Sequence, residues 1–123
     1  MVTISVLPDY LCLGSDEDYF LMPMTPILAQ RVMDRIGGIL PTRKMVALIW
    51  KAASVKLEPA PIPPSAAMVT MVVFDQHNNM VHYYRDAELE LHPLGELVAG
   101  HKKDVILSNE IATNPRKVVI YGW

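Results

Sequence analysis

The chain has 123 residues, of which 51% are hydrophobic and 20% are charged, and its net charge is −2 at pH 7. That length suits one domain with its own core, and the hydrophobic share excludes disorder of the whole chain. The slightly acidic balance, without a basic stripe, argues against a general nucleic-acid binder. The longest apolar runs fall short of the roughly 18 residues of a membrane span. A single cysteine, Cys12, excludes an internal disulfide and a thiolate-based zinc cluster.

The amino-terminal part predicts an antiparallel β meander. Residues 2–7, 10–13 and 19–22 form three short runs with strand character, separated by turns at a proline and at a glycine. Cys12 lies between two leucines with no histidine near it in sequence. We therefore expect a buried and inert thiol rather than a nucleophile.

Two amphipathic helices are predicted next. Thr25 followed by proline is a typical helix start, and Gly37–Gly38 should end that helix. Thr42 should begin a second helix whose apolar stripe includes Trp50. We expect the two helices to form a hairpin on one face of a sheet, with Trp50 in the core rather than stacked on a ligand.

The middle of the chain combines a short strand, a proline-rich segment and a helix. Val55–Leu57 predicts a strand, and Glu58–Pro64 holds four prolines in seven residues. Such a segment is either a docking peptide or an ordered arm, and the arm is favoured because apolar chain continues on both sides. Met68–Phe74 has strand propensity and Asp75–Glu90 predicts a helix, so we place their junction near Val73.

Two β-branched runs near the carboxyl end, Val105–Leu107 and Val118–Tyr121, are each preceded by charge. Nearly uninterrupted apolar runs predict strands buried on both faces. The first run follows His101–Asp104, and the second follows Arg116 and Lys117. If the two strands are neighbours, both charged groups approach one region, which is the candidate site.

Within this cluster, His101, Lys103 and Asp104 are the candidate catalytic residues. A histidine beside a carboxylate can act as a general base, and adjacent lysines can hold an anionic group. In an extended segment His101 would share a face with Lys103, and Lys102 with Asp104. The alternative is that Lys102 and Asp104 form only a surface ion pair of little energetic value.

Additional candidate residues would bind rather than react. They are Lys102, Arg116, Lys117 and His77. His77 and His82 are five residues apart, about 140° around a helix, which makes them poor joint ligands for a metal. We find no phosphate-binding loop, nucleophile elbow or metal-ligand spacing, so the sequence predicts no metal and no cofactor.

Five segments together resemble an uncharacterised family of bacterial proteins, many of them exported. They are DYLCLGSDEDYF, LPTRKMV, KLEPAPIPPSAAM, LVAGHKKDVIL and VVIYGW. The resemblance implies a shared fold and a secreted or periplasmic location, with the cytoplasm left open, but no established activity. The family pattern continues past YGW with His- and Asp-containing segments, so we expect a longer natural chain, cut or processed after Trp123.

These observations predict an α+β fold: a mixed, mainly antiparallel sheet with two or three packed helices and the proline-rich arm. Two classes of function follow. One is a hydrolase acting on a cell-envelope peptide or glycan, its site completed by residues beyond Trp123 or by a second chain. The other is a non-catalytic module that binds a partner or assembles with itself. Enzymatic activity is left undecided.

Overall fold

The structure, a computed structural model, describes residues 1–114 and 117–122. In this part of the chain the architecture is α+β, as predicted, with four α-helices and six short strands. The strands form three separate two-stranded sheets rather than one continuous sheet. Two of the three pairs are antiparallel and one is parallel. No helix among these residues combines the length and the apolar character needed to cross a bilayer.

The amino-terminal hairpin pairs β1 (Cys12–Gly14) with β2 (Tyr19–Leu21). Residues 2–7 form no strand, so the predicted meander lacks its first member. Instead, the chain before β1 is held where Val98 N–H donates to the Pro8 carbonyl at 2.7 Å. All of β1 is exposed, so the interpretation of Cys12 as a buried thiol is wrong.

The two predicted helices are α1 (Pro26–Ile36) and α2 (Arg43–Ala52). Thr25 and Thr42 cap them, each hydroxyl accepting a backbone N–H of the first turn. Gly37 ends α1 in the left-handed conformation, with φ of 71°. The capping residues thus set the boundaries that the sequence predicted.

The core gathers around the parallel pair β3 (Val55–Lys56) and β4 (Val98–Ala99). The predicted strand at Val55 is therefore present. Buried apolar side chains from four parts of the chain meet there: Leu21, Val55, Leu57, Val81 and Val98. The proline-rich segment Glu58–Pro64 has no helix or strand and is largely exposed.

A 3-10 helix over Ala66–Val69 leads into α3 (Met71–Asp86). The strand predicted over Met68–Phe74 is wrong, because the helix already begins at Met71. Three side chains at helical spacing are buried on one face of α3: Asn78, Val81 and Arg85. Their packing outweighs the strand propensity of the β-branched residues in the first turn.

The carboxyl-terminal ribbon pairs β5 (Asp104–Val105) with β6 (Ile120–Tyr121), and α4 (Glu110–Thr113) lies between them in sequence. The prediction that these strands are neighbours is confirmed. Burial on both faces is wrong, since Val105 is half-buried and Ile120 is exposed. The strands run antiparallel, so the chain entering β5 lies beside the chain leaving β6.

Candidate functional site

A cavity of about 600 Å³ lies between the amino-terminal segment, the two helices α1 and α2, and the turn after β4. Most of its lining is apolar, as illustrated by Ile4, Leu7, Ile36, Ile49, Trp50 and Val98. Four polar residues stand together in the remaining lining, and we call them the polar wall: Asp9, Tyr10, Lys102 and Asp104. A largely apolar pocket with a few convergent polar groups is the usual form of a ligand site.

Gly100 turns the chain from β4 towards the polar wall. Its φ is +107°, and an added Cβ would lie 2.3 Å from the Leu57 carbonyl oxygen and 2.7 Å from the Trp50 ring. Only glycine suits this conformation and this close approach. The chain then bends at His101 and Lys102 instead of continuing extended. The alternation that would have put His101 and Lys103 on one face is therefore absent.

Tyr10 contacts both Lys102 and Asp104 in the polar wall. Its hydroxyl lies 3.0 Å from the Lys102 carbonyl oxygen and 3.2 Å from Asp104 Oδ2, so its one proton is shared between two acceptors. Burial and the nearby Asp104 carboxylate raise the pKa of Tyr10. Burial also raises the pKa of Asp104, although the hydrogen bond from Tyr10 opposes that shift.

His101 is buried behind the polar wall, with a residue exposure of 4%. Its Nε2 lies 3.4 Å from Asp9 Oδ1, close enough for an ion pair when the ring is protonated. The contact does not have hydrogen-bond geometry, and neither ring nitrogen has a hydrogen-bond partner among the residues that the structure describes. A buried polar group without a partner costs about 1 to 3 kcal/mol. Such a group in a folded protein calls for an explanation, and a role in function is one of the recognised explanations.

Lys102 is half-buried in the cavity lining, and its Nζ lies 3.4 Å from Nδ1 of His77 on α3. Among the described residues, no carboxylate approaches this ammonium within 4.0 Å. Burial lowers the pKa of Lys102, with Asp9 opposing the shift. Burial and the positive charge of Lys102 likewise lower the pKa of His77. Both groups are therefore shifted towards their neutral forms.

The structure gathers four of the sequence-predicted residues into one region: His101, Asp104, Lys102 and His77. Lys103 is exposed and does not line the cavity. Because the carboxyl-terminal ribbon is antiparallel, the exposed Lys117 lies at its other end. Arg116 lies outside the described residues, as does Trp123.

Sequence reasoning missed Asp9 and Tyr10, which complete the site. Tyr10 meets its partners across 92 and 94 residues of chain. The local signal of this region is a polar break after Pro8 between two apolar runs, which by itself predicts only a turn. Nothing local predicts which distant segment such a break will contact.

Within residues 1–114 and 117–122, no three His, Cys, Asp or Glu side chains are close enough to hold a metal ion. His77 contacts Lys102, whereas His82 Nε2 lies 2.7 Å from the Tyr19 carbonyl oxygen. The two histidines therefore contact different parts of the molecule. Comparison of the chain with protein-family models, with curated proteins and with solved structures finds no match.

Proposed function

We propose that this protein binds small amphipathic molecules, with the apolar part in the cavity and the polar head at the polar wall. The observation that supports the proposal is an apolar cavity of about 600 Å³ whose polar residues stand together. Known ligand pockets have volumes of about 300 to 1,000 Å³ and share this division of apolar and polar lining.

The polar wall offers both donors and acceptors to a ligand head. Lys102 supplies an ammonium that no carboxylate approaches within 4.0 Å among the described residues, while Asp9 and Asp104 supply acceptors. A polar head entering this region would replace water around half-buried groups and add hydrogen bonds to them. The apolar lining rejects a wholly polar ligand, because water would be displaced from it without new polar contacts.

Trp50 lines the cavity and provides a direct readout. The chain holds two tryptophans, so a Trp123→Phe background leaves only the Trp50 signal. Titration with decanol, an apolar chain with one hydroxyl head, should change Trp50 fluorescence and saturate. No saturable change with any chain length from hexanol to dodecanol would contradict the proposal.

A matched pair of substitutions on α2 tests the location. Ile49 lines the cavity, whereas its neighbour Leu48 is 49% exposed and does not. Ile49→Phe fills part of the cavity and should weaken decanol binding about tenfold, equivalent to about 1.4 kcal/mol. Leu48→Phe adds the same volume outside the cavity and should leave the affinity unchanged. Equal effects of the two changes would place binding elsewhere.

A second candidate function is hydrolysis of a cell-envelope peptide, and the pairing of Asp9 with His101 favours it. Asp9 Oδ1 faces a buried imidazole at 3.4 Å, and Asp9 itself lines the cavity. A carboxylate in this position can take a proton from an attacking water. The apolar lining favours a peptide with hydrophobic side chains over a bare glycan.

A panel of apolar peptide p-nitroanilides tests this second candidate. Asp9→Asn should lower any turnover about a hundredfold, the usual contribution of a positioned general base. Asp16→Asn, in the exposed turn before β2, is the matched control and should have no effect. Turnover that survives Asp9→Asn would exclude this mechanism.

We also propose that the protein is exported and that it assembles with itself. The resemblance to exported bacterial proteins supports a secreted or periplasmic location. Self-assembly is supported by exposed apolar side chains on α1 outside the cavity, among them Ile27 and Leu28. Light scattering over a range of concentrations measures it, and a constant monomer mass would exclude it.

A further inference from the structure

We propose that Lys102 is a carbonyl-reactive amine, which forms an imine with an apolar aldehyde or ketone bound in the cavity. This inference rests on the proposed function, because the carbonyl compound must first occupy the cavity. It adds a covalent chemistry and a ligand class that reversible binding does not require.

The position of Lys102 is the first support. The residue lines an apolar cavity, and its backbone is fixed because its carbonyl accepts a hydrogen bond from the Tyr10 hydroxyl at 3.0 Å. Among the described residues, no carboxylate lies within 4.0 Å of its Nζ to hold the charged form. An amine in an apolar setting without a close counter-ion is the usual environment of imine-forming lysines.

His77 is the second support, because it gives the amine a place to send a proton. Its Nδ1 lies 3.4 Å from Lys102 Nζ and can accept from the ammonium. Besides His77, the groups that act on this amine are Asp9, whose charge favours the ammonium, and the burial that disfavours it. Burial is the larger effect and lowers the pKa of Lys102, which raises its free-amine fraction at neutral pH.

The proposed reaction balances without a further reactant. The ammonium passes one proton to His77, and the Nζ lone pair then forms a bond to the carbonyl carbon. The carbonyl oxygen leaves as water, taking that proton back from His77 and a second from nitrogen. The products are one protonated imine and one water, so the positive charge is conserved.

The cavity selects the carbonyl compound. Its lining around Trp50 and Ile49 is apolar, so an aliphatic or aromatic aldehyde fits and a sugar aldehyde does not. The adjacent Lys103 provides an internal comparison, since it is the same residue type in the same segment but exposed and outside the cavity. The two lysines should therefore differ in reactivity.

The test treats the unmodified protein with decanal and cyanoborohydride, which reduces an imine to a stable secondary amine. Peptide mass spectrometry then locates any lysine whose mass has grown by that of decanal less one oxygen atom. We expect labelling of Lys102 to exceed that of Lys103 about tenfold, because decanal bound in the cavity is held beside Lys102 whereas Lys103 meets it only from solution. Excess decanol, which carries no carbonyl group, should protect Lys102 and leave Lys103 unaffected.

The outcomes separate this inference from the proposed function. Preferential labelling of Lys102 that decanol prevents supports it, and His77→Gln should slow that labelling while decanol still binds. Equal labelling of Lys102 and Lys103, while decanol still saturates the cavity, overturns the inference and leaves the binding proposal intact. Equal labelling together with no decanol binding overturns both.

Discussion

Two buried polar regions of this protein are satisfied to very different degrees. On α3, Arg85 is 2% exposed and its guanidinium donates to the carbonyls of His92 and Pro93 at 2.7 and 3.0 Å. Asn78 accepts from Leu21 N–H and donates to the Tyr19 carbonyl. After Gly100, by contrast, neither ring nitrogen of His101 has a hydrogen-bond partner among the described residues. The Lys102 ammonium contacts His77 at 3.4 Å but has no carboxylate within 4.0 Å in the same part of the chain.

The contrast teaches which region stabilises the fold and which is kept for another purpose. Buried polar groups that are fully hydrogen-bonded fix the position of neighbouring elements. Such hydrogen bonds join α3 to β2 and to the turn that follows α3. Buried polar groups without partners reduce stability. Natural proteins retain such groups mainly at functional sites, which agrees with the position of His101 next to Lys102 and the cavity.

The largest effect is expected at the satisfied region. Arg85→Met leaves two carbonyls without their donors and should lower the free energy of unfolding by about 3 kcal/mol. Urea denaturation measures the change, and Arg35→Met in the exposed last turn of α1 is the control, with an effect below about 0.5 kcal/mol. A cost at Arg85 as small as that at Arg35 would remove the contrast.

The next effect concerns the turn at Gly100, which leads into the unsatisfied region. Gly100→Ala should cost about 2 kcal/mol, because a Cβ would combine an unfavourable φ with a clash against the Leu57 carbonyl. Gly95→Ala is the matched control, since its φ is +100° but no atom of residues 1–114 or 117–122 lies within 4 Å of the added atom. The alanine at position 100 should therefore cost more than that at position 95 and should also weaken decanol binding. Equal costs would mean that the close approach at Gly100 contributes nothing.

The smallest effect has the opposite sign and belongs to the unsatisfied region. Because burial lowers the pKa of Lys102, the unfolded chain binds its proton more tightly than the folded protein, and the charged form reduces stability at neutral pH. Lys102→Met should therefore raise Tm slightly at neutral pH. This advantage should shrink as the pH rises towards 10.5, the ordinary value for lysine, where the unfolded chain loses the same proton. Thermal unfolding at neutral pH and near pH 10.5 measures this difference in Tm. The control Lys103→Met should leave Tm unchanged at both pH values. A loss of stability on Lys102→Met would contradict the account.

Local chemistry predicted α1 and α2 well, whereas the site needed long-range information. Thr25, Gly37 and Thr42 set the ends of α1 and α2 through hydrogen bonds within a few residues, which a sequence displays directly. The segment from Met68 was misinterpreted because its β-branched residues favour a strand, while burial of Asn78 and the rest of one α3 face requires a helix.

The charge cluster after Gly100 was visible in the sequence, but its geometry was not. Whether His101 or Lys103 turns inward depends on the bend that Gly100 makes against Leu57, a contact between distant segments. The same holds for Tyr10, whose partners lie at the other end of the chain. Pairing of the two carboxyl-terminal strands was predicted correctly, whereas their direction, which separates Lys117 from His101, was not determined by the apolar pattern.

The most direct test is a nuclear magnetic resonance titration of the labelled protein with decanol. The account predicts that signals of Trp50, Ile49, Asp9 and Lys102 shift together and saturate at one concentration, while those of Leu48 and Lys103 stay in place. Shifts confined to the exposed face of α1, or no saturable shift at all, would contradict the assignment of the cavity as a binding site.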